Sequence, residues 1–346
     1  MLRVPGGKFW VGSGPGDHGI PDESPRYQTE LAPFCIDATE VTVAAYTRCK
    51  ESGACSEPTR GRILCNYGRE QRADHPVNCV SWTQANAFCA ARNARLPTEA
   101  EFEYVARGGE RYSKYPWGDA SPDDRACWKQ PTTCAVKSYA AGAFGLYDVS
   151  GNVWEWVDDW YGPYPFPPPE SPWKVYRGGS FSRRFEKWMS ARLRNRSRER
   201  DSGAHLGFRC ATTAPGARCP FGSGQGGRCL HGVLALDCPA GRAFNGVRCA
   251  APGEPRCPPG RTETPGHGCV APLDDAPAAE DLEALAKSVT RSRSPEFDAD
   301  CRQNSRDRPQ AFRYAGGSHG ARNLVSRRSG CKNRDVGVGW NSTCCP

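Results

Sequence analysis

Several features that would make a function easy to read are missing from this chain. In 346 residues there is no run of eighteen or more apolar side chains, so no helix spanning a bilayer is expected. Neither a Gly-rich phosphate loop nor a Ser, His and Asp arrangement is legible, and the six histidines, at 18, 75, 205, 231, 267 and 319, lack ligand spacing. There is no Cys-x-x-Cys pair; Cys344-Cys345 is the only close pair, and vicinal cysteines rarely build a zinc site. No basic n-region with an apolar h-region stands ahead of Val4. Methionine is down to 2 residues and the mean hydropathy is -0.66, so core packing must come from elsewhere.

What is present points to a loop-rich, exported protein. The 38 Gly and 30 Pro imply many turns, and 10 Trp must supply much of the packing. Nineteen cysteines imply an oxidising, extracytoplasmic compartment, periplasmic, surface-anchored or secreted, with the export signal missing from this chain and expected upstream of Met1. The net charge of +8 is densest at 183–200, where Arg183, Arg184, Lys187, Arg192, Arg194, Arg196, Arg198 and Arg200 face only Glu186 and Glu199. Without interleaved stacking aromatics this is not a nucleic-acid surface. It suits a solvated face, or a wall for an acidic peptide, a sulfated glycan or an envelope polymer, because Arg pairs bidentately with carboxylate and sulfate.

Cysteine spacing divides the chain. In the first 211 residues, Cys49-Cys55, Cys65-Cys79 and Cys127-Cys134 bracket short loops that bridges would pin, and Cys35 is left as a buried free thiol or a partner for the tail. From 212 to 270, Cys-Pro-x-Gly recurs at Cys219, Cys238 and Cys257 and closes at Cys229, Cys249 and Cys269, predicting Cys219-Cys229, Cys238-Cys249 and Cys257-Cys269 bridges. Units this small cannot own a core, so they read as a stapled stalk or as a docking module. Residues 271–295 form a linker with a short amphipathic helix carrying Leu282, Leu285 and Val289; 296–346 is a Cys- and Arg-rich module of no recognised family. In the first part, Val80–Asn93 has helical spacing, a second helix starts at Pro97-Thr98-Glu99, and short strands are expected near 173–181 and 206–211.

Eight blocks in register carry a resemblance: Val-Pro-Gly-Gly-Lys-Phe at 4–9, Glu-Val-Thr at 40–42, Val-Ser-Trp-Thr-Gln-Ala at 80–85, Arg-Leu-Pro-Thr-Glu-Ala-Glu-Phe-Glu-Tyr at 95–104, Tyr-Pro-Trp-Gly-Asp at 115–119, Leu-Tyr-Asp-Val-Ser-Gly-Asn-Val-Trp-Glu-Trp at 146–156, Arg-Gly-Gly-Ser-Phe at 177–181 and Leu-Gly-Phe-Arg-Cys at 206–210. Residues 1–211 resemble the formylglycine-generating enzyme (sulfatase-modifying factor) family. The resemblance implies an α+β, C-type-lectin-like fold with few long elements, a long-range Cys89-Cys210 bridge, and an oxidase in which two cysteine thiolates hold Cu(I) and oxygen converts a client cysteine to formylglycine. That thiolate pair belongs just after the Gly-Gly-Ser block. Here no cysteine occurs from Ala135 to Arg209, so copper is not expected, unless tail thiols supply it. The resulting expectation is a binding protein for a peptide, glycan or envelope component, its cleft lined by Trp156, Ser180 and Arg183, the last standing about where the first copper cysteine would lie. The alternative is an active oxidase of the same family or another oxidoreductase on its scaffold. The resemblance also implies calcium at Gly151, Asn152, Val153 and Glu155. A second family calcium site uses an Asn-led segment where this chain has Ala126-Cys127-Trp128.

Overall fold

The computed structural model describes residues 1–257, 262–264 and 268–270, except His18, Gly61, Gln225, Gly226, Val247 and Pro255; the linker helix, the C-terminal module and the side chain of Cys269 lie outside the described residues. Met1–Val270 pack as one compact unit.

Three short helices open on side-chain caps. In α1 (Val43–Glu51), Thr42 accepts the Ala45 N–H. In α2 (Trp82–Ala90) and α3 (Glu99–Ala106), Ser81 with Gln84 and Thr98 with Glu101 form reciprocal capping boxes, so each N-terminus satisfies two of its own donors. The predicted helices are α2 and α3. With only Val43 and Tyr46 buried, α1 has too thin an apolar stripe to show in the sequence.

The strands are short and paired at long range. β1 (Leu2–Val4), β4 (Phe34–Ile36) and β9 (Ala211–Thr213) form one sheet in the order β1-β4-β9; β2 (Gly7–Val11) pairs antiparallel with β3 (Tyr27–Leu31) in another. The largest sheet has the order β7-β6-β5-β8, from β5 (Trp154–Trp160), β6 (Lys174–Arg177), β7 (Arg194–Ser197) and β8 (Leu206–Gly207), with β5 and β8 parallel. Its β5 side chains feed two cores. Trp154 and Trp156 join Tyr46, Phe88 and Phe208, where Tyr46 stacks on Phe88 at 5.4 Å; Val157 joins Phe9, Phe34 and Phe102. Between sheet and α3 lies a wholly buried ionic layer in which Glu103 holds Arg107 and Arg177, and Glu99 holds Arg194 at 2.7 Å.

Six expected disulfides are formed: Cys49-Cys55, Cys65-Cys79, Cys89-Cys210, Cys127-Cys134, Cys219-Cys229 and Cys238-Cys249. Cys35 is disulfide-bonded, which removes the free-thiol alternative, and so is Cys257.

The first Cys-Pro-x-Gly loop is not a free stalk. After it, β10 (Ala235–Leu236) pairs antiparallel with β3, giving the sheet order β10-β3-β2. Thr29 donates to the Gly232 carbonyl at 2.6 Å, Arg26 pairs with Asp237 at 2.7 Å, and Arg228 pairs with Asp158. The second loop is closed by its own hairpin, β11 (Ala243–Phe244) with β12 (Cys249–Ala250); a further hairpin pairs β13 (Thr262–Thr264) with β14 (Gly268–Val270).

Candidate functional site

β6 ends because Gly178 and Gly179 take φ of +97° and +77°, and a Cβ on Gly179 would meet the Trp188 carbonyl at 2.5 Å. The strand expected over 173–181 therefore stops at Arg177 and turns across the Asn152 loop. There the Gly151 N–H donates to the Gly178 carbonyl and the Phe181 N–H to the Asn152 carbonyl, both at 2.8 Å. Ser180 and Phe181 are pressed inward, and Arg183 emerges next to the 3-10 turn Glu186–Met189.

Of the three residues expected to line a cleft, only Arg183 reaches the surface. Trp156 is enclosed completely and donates its indole N–H to the Val80 carbonyl at 3.1 Å, while Ser180 is equally buried. Both expectations are corrected: an indole serving as a core wall cannot also face a ligand. The Arg183 guanidinium lies over the rings of Trp188 at 5.2 Å and Trp154 at 5.8 Å. Beside it His205, overlooked in the sequence for want of a spaced partner, is held down to about 4 by burial and by Arg183, so the imidazole is neutral at pH 7.

The calcium expectation meets a different arrangement. Asn152 is the knot of its loop: its amide oxygen accepts the Cys134 N–H at 3.0 Å, its amide nitrogen donates to Glu40 at 2.7 Å, and its carbonyl is taken by Phe181. In this arrangement each Asn152 oxygen accepts one hydrogen bond and the side chain ties its loop to Cys134 and Glu40. Glu155 pairs bidentately with Arg209 at 2.7 and 2.8 Å. Glu40 and Asp148 stand near it, leaving three carboxyls around one guanidinium; burial pushes all three up, and neighbouring carboxylates push Glu40 and Glu155 further. Among the described residues no three His, Cys, Asp or Glu side chains stand close enough to hold a metal by themselves. The excess of buried carboxyl oxygen nevertheless fits a hard cation in charge and donor type, with Asp148, missed in the sequence, joining Glu155.

Among the described residues no group of three His, Cys, Asp or Glu side chains offers a soft-metal site. All nine cysteines of residues 1–214 are disulfide-bonded, which leaves none of them as a thiolate. The tail cysteines lie outside the described residues.

Comparison with known proteins bears on the family. Residues 1–214 match the family described as sulfatase-modifying factor enzyme 1-like domain. The chain is 32% identical over 281 residues to the formylglycine-generating enzyme of Streptomyces coelicolor, covering 62% of this chain and 89% of that one. It is 29% identical to the inactive C-alpha-formylglycine-generating enzyme 2 of Mus musculus, covering 62% and 86%. Against the serine/threonine-protein kinase Pkn1 of Chlamydia trachomatis it is 31% identical, over 61% of this chain but only 38% of the kinase. Among solved structures, PvdO from Pseudomonas aeruginosa superposes with a TM-score of 0.53 at 24% identity, covering 61% of this chain and 93% of that one. With the motifs, the fold and the matched residues in agreement, the chain belongs to the sulfatase-modifying factor family, whose domain occupies residues 1–214.

Proposed function

We propose that this is an extracytoplasmic binding member of its family, without copper oxidase activity, which holds a peptide or glycan at the surface around Arg183. The observation that carries the reading is the pairing of every cysteine in the domain into disulfides, with a guanidinium in the segment after Gly178-Gly179-Ser180. Arg cannot replace a thiolate toward Cu(I), but it suits a carboxylate or sulfate. The inactive mouse relative provides a parallel within the family. The disulfides support an oxidising location, and among the described residues no helix is long and apolar enough to cross a membrane. The test is anaerobic Cu(I) titration of the disulfide-intact protein, with mass spectrometry of a sulfatase-motif peptide for formylglycine. No copper and no product is expected; one-to-one copper with a converted peptide would overturn the reading. That second result is the alternative reading, an active oxidase, which the 32% identity to the Streptomyces enzyme favours.

Calcium enters the proposal as a structural ion near the Asn152 loop, with Asp148 and Glu155 as its carboxylates and main-chain oxygens of Gly151 and Val153 completing it. It would supply the positive charge that Arg209 alone does not. At pH 7.5, calcium is expected to raise the thermal midpoint by several degrees over EDTA. The shift should shrink toward pH 5, since carboxyls with raised pKa take up protons that compete with the ion, and should be lost in Asp148→Asn. Equal midpoints in calcium and EDTA at pH 7.5 would remove the ion from the proposal.

A further inference from the structure

A cavity of about 690 Å³ opens where the family domain meets β10 and the second Cys-Pro-x-Gly loop, and none of its lining residues belongs to the surface around Arg183. That volume is the size of a ligand site. Its domain side is mostly carbon: Pro15, Pro25, Pro165 and Phe166 line it with Tyr164, whose hydroxyl is spent on Glu99 at 3.1 Å. Its other side is ionic. Asp237 takes Arg26 at 2.7 Å and is followed by Cys238, whose bridge to Cys249 brings in the neighbouring Arg248. Arg26 is held in place, with its guanidinium 4.6 Å from the Trp10 ring and so close to Gly14 that a Cβ there would stand 2.8 Å from it. Arg248 shares Glu254 with Arg242, at 2.9 and 3.4 Å, so this side and the loop behind it set three guanidinium groups against two carboxylates. Proline fixes the backbone of one wall and a disulfide closes the other, which makes the cavity a preformed one.

We propose that this cavity binds an extended, proline-containing protein segment that carries a carboxylate, with its rings against Pro25, Pro165 and Phe166 and its carboxylate beside Arg248. Pro15, Pro25, Pro165 and Pro239 offer no backbone N–H, so a ligand cannot be laddered in as a β-strand. A polyproline II chain makes no such demand and arrives with its backbone already ordered. The excess guanidinium calls for an anion. A fatty acid would fill the carbon side but lay its tail along the ion pairs and strip them of water. A sulfated glycan would answer Arg248 but press its hydroxyl groups against proline rings that have no donor to give.

The test uses the full chain and fluorescence anisotropy, with a labelled peptide of repeating Pro-Pro-Asp, its Pro-Pro-Asn and Ala-Ala-Asp counterparts, and dodecanoate and a heparin-derived hexasaccharide as unlabelled competitors. The Pro-Pro-Asp peptide is expected to saturate and each counterpart to bind about tenfold more weakly, the scale of one charge-assisted hydrogen bond or of the ordering that proline supplies in advance. Arg248→Gln should remove the preference for Asp over Asn. Phe166→Ser should narrow the gap to Ala-Ala-Asp, and Phe166→Leu, which keeps the bulk but not the ring, should fall between at an unchanged unfolding midpoint because this side chain is part-exposed. No saturable binding, equal affinity for either counterpart, or displacement by dodecanoate or hexasaccharide at a lower concentration than by unlabelled peptide would each overturn the proposal. So would a loss in Arg183→Gln as large as that in Arg248→Gln, which would place the peptide on the other surface. Formylglycine production in the copper assay would instead sink the reading at Arg183 and leave these peptide results as they stand.

Discussion

Glu103 is enclosed completely and answers two guanidinium groups at once, Arg107 at 2.8 Å and Arg177, while also accepting the Gly12 N–H at 2.8 Å. Glu103→Gln leaves two buried cations short of one charge and is expected to cost about 3–5 kcal/mol in urea unfolding, against which a loss under about 1 kcal/mol would show the layer to be self-compensating. Asp159 makes a pH-dependent contribution. Burial pushes it up to about 6, against a partial pull from Arg228, and it accepts the Glu99 N–H at 2.6 Å. A carboxyl raised in the folded state stabilises below its unfolded value of 3.8 and loses that contribution as pH rises through about 6. Asp159→Asn should therefore flatten the decline in stability between pH 4 and 6.5, and an unchanged profile would assign the slope to other groups. At this scale the sequence was only partly legible. Glu155 and Arg183 stood out by motif and charge, but neither pattern says that Arg209 would take up both Glu155 oxygens or that Trp156 would turn inward, because those outcomes depend on pairings across the whole domain.

The helices show which elements a sequence specifies locally. Ser81 with Gln84 and Thr98 with Glu101 announce α2 and α3 because a capping box is a four-residue signal. The two- to seven-residue strands carry no comparable period, and the parallel β5 and β8 pairing joins Trp154 to Leu206. Covalent closure compensates for such distant contacts. Cys89-Cys210 spans 121 residues, tying α2 to the chain between β8 and β9. Replacing both by alanine is expected to lower stability by roughly 4–5 kcal/mol in the chain-entropy account, read from denaturation midpoints, with the larger share in faster unfolding. A loss of under about 1 kcal/mol would mean that the unfolded chain is already held compact by the shorter bridges.

At the scale of the molecule, composition and cysteine usage indicated a large first domain with a stapled appendage, and the motifs indicated its family. They did not show that the appendage is built into the domain, because β10 is two residues long and its pairing with β3 is backbone recognition, largely blind to side-chain type. Truncation after Ala214 strips β10 from β3 and removes the partners of Arg26, Thr29 and Asp158. The truncated protein is expected to melt lower and to aggregate on concentration, whereas one ending at Ala250 should do neither; equal behaviour of the two by light scattering would show the strand to be dispensable.

That borrowed strand also bears on how the protein can be inherited. Homology marks residues 1–214 as the unit that relatives share, but here the unit that recombination could move intact reaches at least to Asp237. A gene fusion cut at the family boundary would transplant an open sheet edge into its new host, so in this lineage the domain and its first Cys-Pro-x-Gly loop should travel together.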